Sequence, residues 1–176
     1  MKNIVLIGFM GTGKTSTGRS LAQRLGFCFI DLDQKIEEAA GMTIPEMFER
    51  YGEAYFRARE REAVVRASGR SHAVIATGGG TVKDPENRRT LRESGAVVCL
   101  QADVDTILQR TQTRGERPVL DGRDEGDRRC AIKQLLEERR ALYEEADFTV
   151  DTSDRSPLQV VDEIVRFLRG RGGLHV

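Results

Sequence analysis

Gly8-Phe9-Met10-Gly11-Thr12-Gly13-Lys14-Thr15 is the stretch from which the rest of this 176-residue chain can be read. It has the spacing G-x-x-x-x-G-K-[ST]. A chain of phosphates needs backbone N–H groups turned inward, and glycines let a loop wrap closely enough to supply them. A helix that follows at once adds its N-terminal N–H groups and the positive end of its dipole. Lys14 can bridge phosphate oxygens, and Thr15 can offer a hydroxyl to magnesium. An apolar run precedes the motif, and a helical pattern from Thr15 to Leu25 follows it. The alternative, a glycine-rich turn with an exposed lysine, does not require that strand–loop–helix order.

On either side of this loop, short apolar runs alternate with longer amphipathic stretches. The runs are Asn3 to Leu6, Phe27 to Ile30, Ala73 to Ala76, Ala96 to Leu100 and Phe148 to Val150. Runs so short and rich in Val and Ile predict strands buried on both faces, and helices between them predict crossovers and a parallel sheet. Helix starts are marked at Thr43-Ile44-Pro45-Glu46, at Asp84-Pro85 and at Ser156-Pro157-Leu158-Gln159, where cap residues, prolines and capping-box spacing coincide. Gly170, Gly172 and Gly173 stop the last helix. The length fits a single domain spanning 1–176.

Composition removes several function classes. With 28 basic and 28 acidic residues, no net field attracts DNA, RNA or an anionic membrane. His72 and His175 are the two histidines, too few for a His-rich metal site, and they argue against a Ser-His-Asp triad. Cys28, Cys99 and Cys130 are odd in number and widely spaced, which disfavours a disulfide framework or zinc site and fits a reducing cytosol. Cys28 and Cys99 lie in apolar runs and are expected in the core. Ile4 to Met10 is too short to span a bilayer and lacks the features of a signal peptide. The expected location is therefore cytoplasmic.

Four further features point to chemistry. Asp31-Leu32-Asp33 follows the second run, so the carboxylates fall at the carboxyl edge of the sheet, where open α/β sheets bind ligands. In extended chain they point to one side. One can then serve magnesium while the other accepts a hydrogen bond from an attacking hydroxyl, the division that phosphoryl transfer needs. Taken alone, Asp33 reads as a cap for a helix from Gln34 to Ala40. With a phosphate loop on the neighbouring strand, the chemical reading takes precedence.

Arginines occupy positions where helices should be apolar. Ile132, Leu135, Leu136, Leu142 and Tyr143 form an inward stripe that includes Arg139, whereas Arg140 points to solvent. An inward charge must be paired or must line a cavity. Phe56, Glu60, Ala63, Val64 and Ala67 share another face, and Arg57 stands three residues before Glu60. That pair suits either an anion receptor or an ordinary surface ion pair. Arginine forks match planar carboxylates, so the spacing suggests an acceptor bearing both a carboxylate and a hydroxyl. Ala73 to Ala76 leads through Thr77 into Gly78-Gly79-Gly80, enough glycine for a ligand to approach the backbone or for a tight turn. From Gln112 to Arg129 the chain is glycine-rich and charged, which predicts a mobile lid at about 112–126.

Together these strings resemble the shikimate kinase family. The likeness runs from the Gly8 loop to Pro157 and rests on GFMGTGKT, the DLD after the second strand, FRAREREA, TGGG, RPVL and ERRALYEEAD. The resemblance implies a three-layer αβα P-loop NTPase fold, like that of nucleoside-monophosphate kinases, with a five-stranded parallel sheet. It adds a substrate-binding helical segment at about 31–62. It implies ATP-dependent phosphorylation of the shikimate 3-hydroxyl in aromatic amino-acid biosynthesis, with ATP and Mg2+ as cofactors. The implied nucleotide set is Gly11, Thr12, Gly13, Lys14, Thr15, Ser16, Arg110, Arg117 and Arg155, with Pro157 near the adenine. Thr15 and, through water, Asp31 would serve magnesium. Asp33 would hold the reacting hydroxyl, Arg57 and Arg139 would grip the carboxylate, and Gly79 and Gly80 would meet the ring's polar groups. Lys14, Asp33 and Arg117 would carry the catalysis.

Val119 and Ala141 depart from the family's usual leucine and proline, away from that chemistry. The expected state is a monomer without nucleic-acid or membrane partners. Gluconate or a nucleoside monophosphate is the competing acceptor, and a non-catalytic ATP-gated binding protein is the competing class.

Overall fold

The computed structural model describes residues 3–111 and 125–172. The strands are β1 (Asn3–Ile7), β2 (Cys28–Asp31), β3 (Ala73–Ala76), β4 (Gly95–Gln101) and β5 (Phe148–Asp151). The helices are α1 (Lys14–Leu25), α2 (Leu32–Ala40), α3 (Ile44–Tyr51), α4 (Glu53–Ser68), α5 (Pro85–Ser94), α6 (Val104–Arg110), α7 (Glu125–Glu144) and α8 (Pro157–Gly170). Each expected strand is present, displaced by no more than one residue at either end. The order is β2-β3-β1-β4-β5, and every pairing is parallel.

Period-two alternation in β1 builds the layers. Ile4 and Leu6 face a core shared with Leu21 and Ala22 of α1 and with Val160, Val161, Ile164, Val165 and Leu168 of α8. Val5 and Ile7 face the opposite core, with Leu32, Val64 and Leu91. Helices therefore cover both faces of the sheet. Each aliphatic side chain so buried contributes about 1.5–3 kcal/mol. A smaller core of Ile36, Met47 and Phe56 ties α2, α3 and α4 together beyond the edge of the sheet.

Caps fix where the helices begin. Thr43 with Glu46, and Ser156 with Gln159, form reciprocal capping boxes, and the Asp84 carboxylate accepts from the Glu86 N–H. Replacing such a cap costs about 1 kcal/mol.

Three expectations need correction. β2 is not buried on both faces: it is an edge strand with one partner, and its four residues are partly or fully exposed. Cys28 is consequently exposed rather than part of the core, while Cys99 is buried as expected. The strand that precedes the acidic pair is also not a neighbour of the phosphate-loop strand, because β3 lies between β1 and β2. No helix among the described residues is long and apolar enough to cross a membrane.

Candidate active site

The loop after β1 turns directly into α1. Gly13 caps that helix at φ +90°, a left-handed conformation that suits glycine, and Lys14 is the first helical residue. Lys14 is 8% exposed, and its Nζ donates to the carbonyls of Gly8 and Phe9, each at 2.8 Å. Burial lowers its pKa to about 8, against the opposing pull of the Asp33 and Asp31 carboxylates. The Thr12 hydroxyl closes the loop on Phe9 O at 2.7 Å. Ser16 is exposed in the first turn of α1.

Arg110 and Thr152 brace the loop from behind. Arg110 donates to Gly11 O at 3.2 Å and to Thr152 O at 2.8 Å, and the Thr152 hydroxyl donates to Thr12 O at 2.9 Å. Arg155 is ion-paired with Glu163 on α8. Arg117 and the expected lid residues 112–124 lie outside the described residues.

The Thr15 hydroxyl donates to Asp31 Oδ2 at 3.1 Å, although β3 separates their strands. The other Asp31 oxygen accepts from the Gln34 N–H at 3.3 Å and caps α2. The cap is therefore Asp31 and not Asp33. The two aspartates are not on one extended segment either, because α2 begins at Leu32 and carries Asp33 in its first turn. Beginning the helix two residues earlier, at Leu32 rather than Gln34, frees Asp33 to point into the site.

The hydroxyl and carboxylate at Thr15 and Asp31 are hard oxygen donors, which suit magnesium. Among the described residues no group of three or more His, Cys, Asp or Glu could hold a metal ion. An ion there would complete its shell with water and phosphate oxygens, the usual habit of magnesium.

Asp33 is half-buried, and its pKa is pushed up to about 6. Burial is the main cause, the charges of Asp31 and Glu60 add to it, and Lys14 opposes them. The group therefore titrates close to neutrality, a property shared with carboxylates that exchange protons with ligands.

The glycine triplet brings the remaining pieces together. A β-carbon on Gly78 would stand 2.8 Å from Asp33 Oδ1, one on Gly79 would stand 3.5 Å from Arg139 Nη1, and one on Gly80 would stand 2.7 Å from Arg57 Nη2. Three successive residues thus touch the one carboxylate and the two arginines that the sequence singled out. Arg57 is held by Glu60 at 2.8 Å, and the other Glu60 oxygen accepts from the Thr81 hydroxyl at 2.9 Å. Arg139 is 5% exposed and donates to Gly79 O at 3.0 Å, with its guanidinium 5.4 Å above the Phe9 ring. Its Nε has no partner among the described residues. The buried cation therefore retains unused capacity to donate to an anion.

Three contributors to the site carry no functional signature of their own in the sequence. Tyr143 donates to Gly79 O at 2.8 Å, beside the Arg139 bond. It lies one helical turn after Arg139, and that spacing was the available signal. Thr81 anchors Glu60, and Thr152 anchors the phosphate loop. Both lie just past a strand end on the ligand-bearing edge, but a lone threonine there carries no distinctive pattern. The arrangement juxtaposes a phosphate cradle, a titratable carboxylate and two carboxylate-sized cations.

A protein-family model described as Shikimate kinase matches residues 10–169. The chain is 46% identical over 174 residues to the shikimate kinase of Caldanaerobacter subterraneus subsp. tengcongensis, covering 97% of this chain and 100% of that one. It is 45% identical over 166 residues to the shikimate kinase of Thermodesulfovibrio yellowstonii, covering 94% of each. A solved structure of shikimate kinase from Acinetobacter baumannii in complex with shikimate superposes with a TM-score of 0.93 at 37% identity, covering 97% of this chain and 94% of that one.

Proposed function

This chain belongs to the shikimate kinase family, ATP-using kinases of aromatic amino-acid biosynthesis, and on that premise we propose how its own residues carry out the reaction. Asp33 orients the 3-hydroxyl of shikimate toward the terminal phosphoryl group of ATP. The glycine triplet carries this reading, because its contacts gather Asp33, Arg139 and Arg57 around one spot beside Lys14.

The acceptor's carboxylate is gripped by Arg57 and Arg139. Arg139 contributes an unpaired Nε–H, and Arg57 is aimed by Glu60. A planar fork meeting two oxygens fixes orientation as well as affinity. Gly79 and Gly80 leave room for the ring beside their backbone. The complex of the Acinetobacter baumannii relative with shikimate supports shikimate as the ligand of this chain too.

Gly11, Thr12, Gly13, Lys14, Thr15 and Ser16 receive the phosphates of ATP. Lys14 exchanges its two carbonyl bonds for phosphate oxygens, and its depressed pKa reflects the desolvation that makes a charge most effective. Thr15 directly, and Asp31 through water, would hold Mg2+. When bound, that ion would neutralise phosphate charge. Asp33 accepts the hydrogen bond of the attacking hydroxyl and can receive its proton, for which a pKa of about 6 is well matched. Arg110 keeps the loop in register with the end of β5, while Arg155, paired with Glu163 on α8, would leave that partner to approach the nucleotide.

The test is ADP release from ATP and magnesium with shikimate, gluconate or nucleoside monophosphates as acceptor. Shikimate alone should support rapid turnover. Equal or faster turnover with another acceptor would overturn the assignment.

A further inference from the structure

Helix α4 has two working faces. Arg57 and Glu60 look toward the glycine triplet. On another face, Arg59, Glu62, Ala63, Arg66 and Ala67 recur at helical spacing and continue to Arg70 beyond the helix. That second face borders a cavity of about 650 Å3 between α2, α4 and the free edge of β2. The volume lies within the range of small-molecule sites.

The lining is amphipathic. Phe29, Ile36 and Ala63 supply apolar surface, and the Tyr55 ring lies 5.4 Å below the Arg59 guanidinium. Around them stand four cations, Lys35, Arg59, Arg66 and Arg70, and two carboxylates. The carboxylates are already engaged, Glu38 with Lys35 at 2.9 Å and Glu62 with Arg59 at 3.1 Å. Neither the Arg66 nor the Arg70 guanidinium has a hydrogen-bond or ion-pair partner among the described residues. Arg59 Nε is closed off from solvent with no acceptor among them. Excess positive charge beside flat apolar walls is the complement of an anion on a ring, because arginine pairs with the charged group while the ring covers apolar surface.

We propose that this cavity is an effector site for a small organic anion, a carboxylate or phosphate on a flat apolar body, and that its occupancy alters the grip on the acceptor. The route is short. The cavity walls are α2 and α4, and these two helices carry Asp33 and Arg57. A ligand that fixes their separation biases both residues, and coupling of this kind is reciprocal between the two sites.

The probes are phenyl phosphate and phenylacetate, with inorganic phosphate lacking the ring and benzyl alcohol lacking the charge. Amide NMR signals of β2, α2 and α4 are followed in full-length enzyme preloaded with ADP and shikimate, so that the phosphate cradle and carboxylate clamp are filled. At least one ringed anion should bind saturably, tenfold or more tighter than either control. The double variant Arg66→Ala/Arg70→Ala should weaken that binding at least tenfold with an unchanged melting temperature. At saturating ATP, the tighter probe should shift the KM for shikimate at least twofold in the unmodified enzyme and not in the double variant. The KM comparison rests on the kinase reading and the NMR titration does not, so their failures are distinguishable. Absence of saturable shifts on these three elements, equal binding by the double variant, or a KM shift that is absent or survives in the double variant would each overturn the proposal.

Discussion

Glu60 holds Arg57 at 2.8 Å from a position almost closed to solvent, while Arg57 itself remains a quarter exposed. The carboxylate thus sacrifices its hydration to aim a cation that stays accessible to ligand. Glu60→Ala should leave Arg57 free to swing away and Thr81 without its acceptor. The KM for shikimate should rise roughly tenfold to a hundredfold, about 1.4–2.8 kcal/mol, with a smaller change in kcat. Steady-state kinetics at saturating ATP reads the two separately.

Asp33 should set the acid limb of the pH profile. Its folded-state pKa of about 6 lies above the ordinary 3.8, so the native protein holds this proton more tightly than the unfolded chain does. The stability contributed by the protonated form is complete below pH 4 and is lost as pH rises through 6. Activity needs the ionised form, so kcat/KM should fall as pH drops through about 6. Asp33→Asn should therefore be more stable near pH 7, by about 1–3 kcal/mol, yet lose a hundredfold or more in kcat. Thermal melting together with turnover checks both signs.

The glycine triplet should respond position by position. Alanine at Gly78 would intrude on Asp33, and alanine at Gly80 would intrude on the Arg57 fork, whereas at Gly79 a methyl meets only ordinary contact distances. Gly78→Ala should act mainly on kcat and Gly80→Ala mainly on the KM for shikimate, each by tenfold or more. Gly79→Ala should act less than either. Kinetics on the three variants reveals whether the pattern follows the contacts.

The two cations should separate by function. Lys14→Ala should lose at least a hundredfold in turnover while retaining the native far-UV spectrum. Arg139→Ala should chiefly weaken shikimate, because its guanidinium donates to Gly79 O in the proposed clamp and meets the phosphate loop only by stacking over the Phe9 ring. Titration calorimetry with shikimate and with a nucleotide analogue distinguishes the two variants.

Much of this architecture was visible in the chain because its signals are local. Apolar runs separated by capped helices mark β1 to β5, and the loop at Gly8 announces its own chemistry. Arg139 stood out because a charge on an apolar stripe breaks the pattern. The order of the strands was less accessible, since pairing is decided by packing between distant segments, and β3 inserts between β1 and β2 without any local mark. That insertion makes β2 an edge and exposes Cys28, against the expectation from its apolar neighbours. The cap at Asp31 was missed for a related reason: Asp31 and Asp33 are both sound caps, and a two-residue difference in helix start decides which of them is free. Tyr143, Thr81 and Thr152 act through contacts 64, 21 and 140 residues away in sequence, beyond any local pattern.

The most direct test is a crystal structure with shikimate and a non-hydrolysable ATP analogue bound together. The account predicts the shikimate 3-hydroxyl within hydrogen-bonding distance of Asp33 and its carboxylate on Arg57 and Arg139, with the terminal phosphate at Lys14. A ring bound away from Asp33, with its carboxylate touching neither arginine, would contradict it.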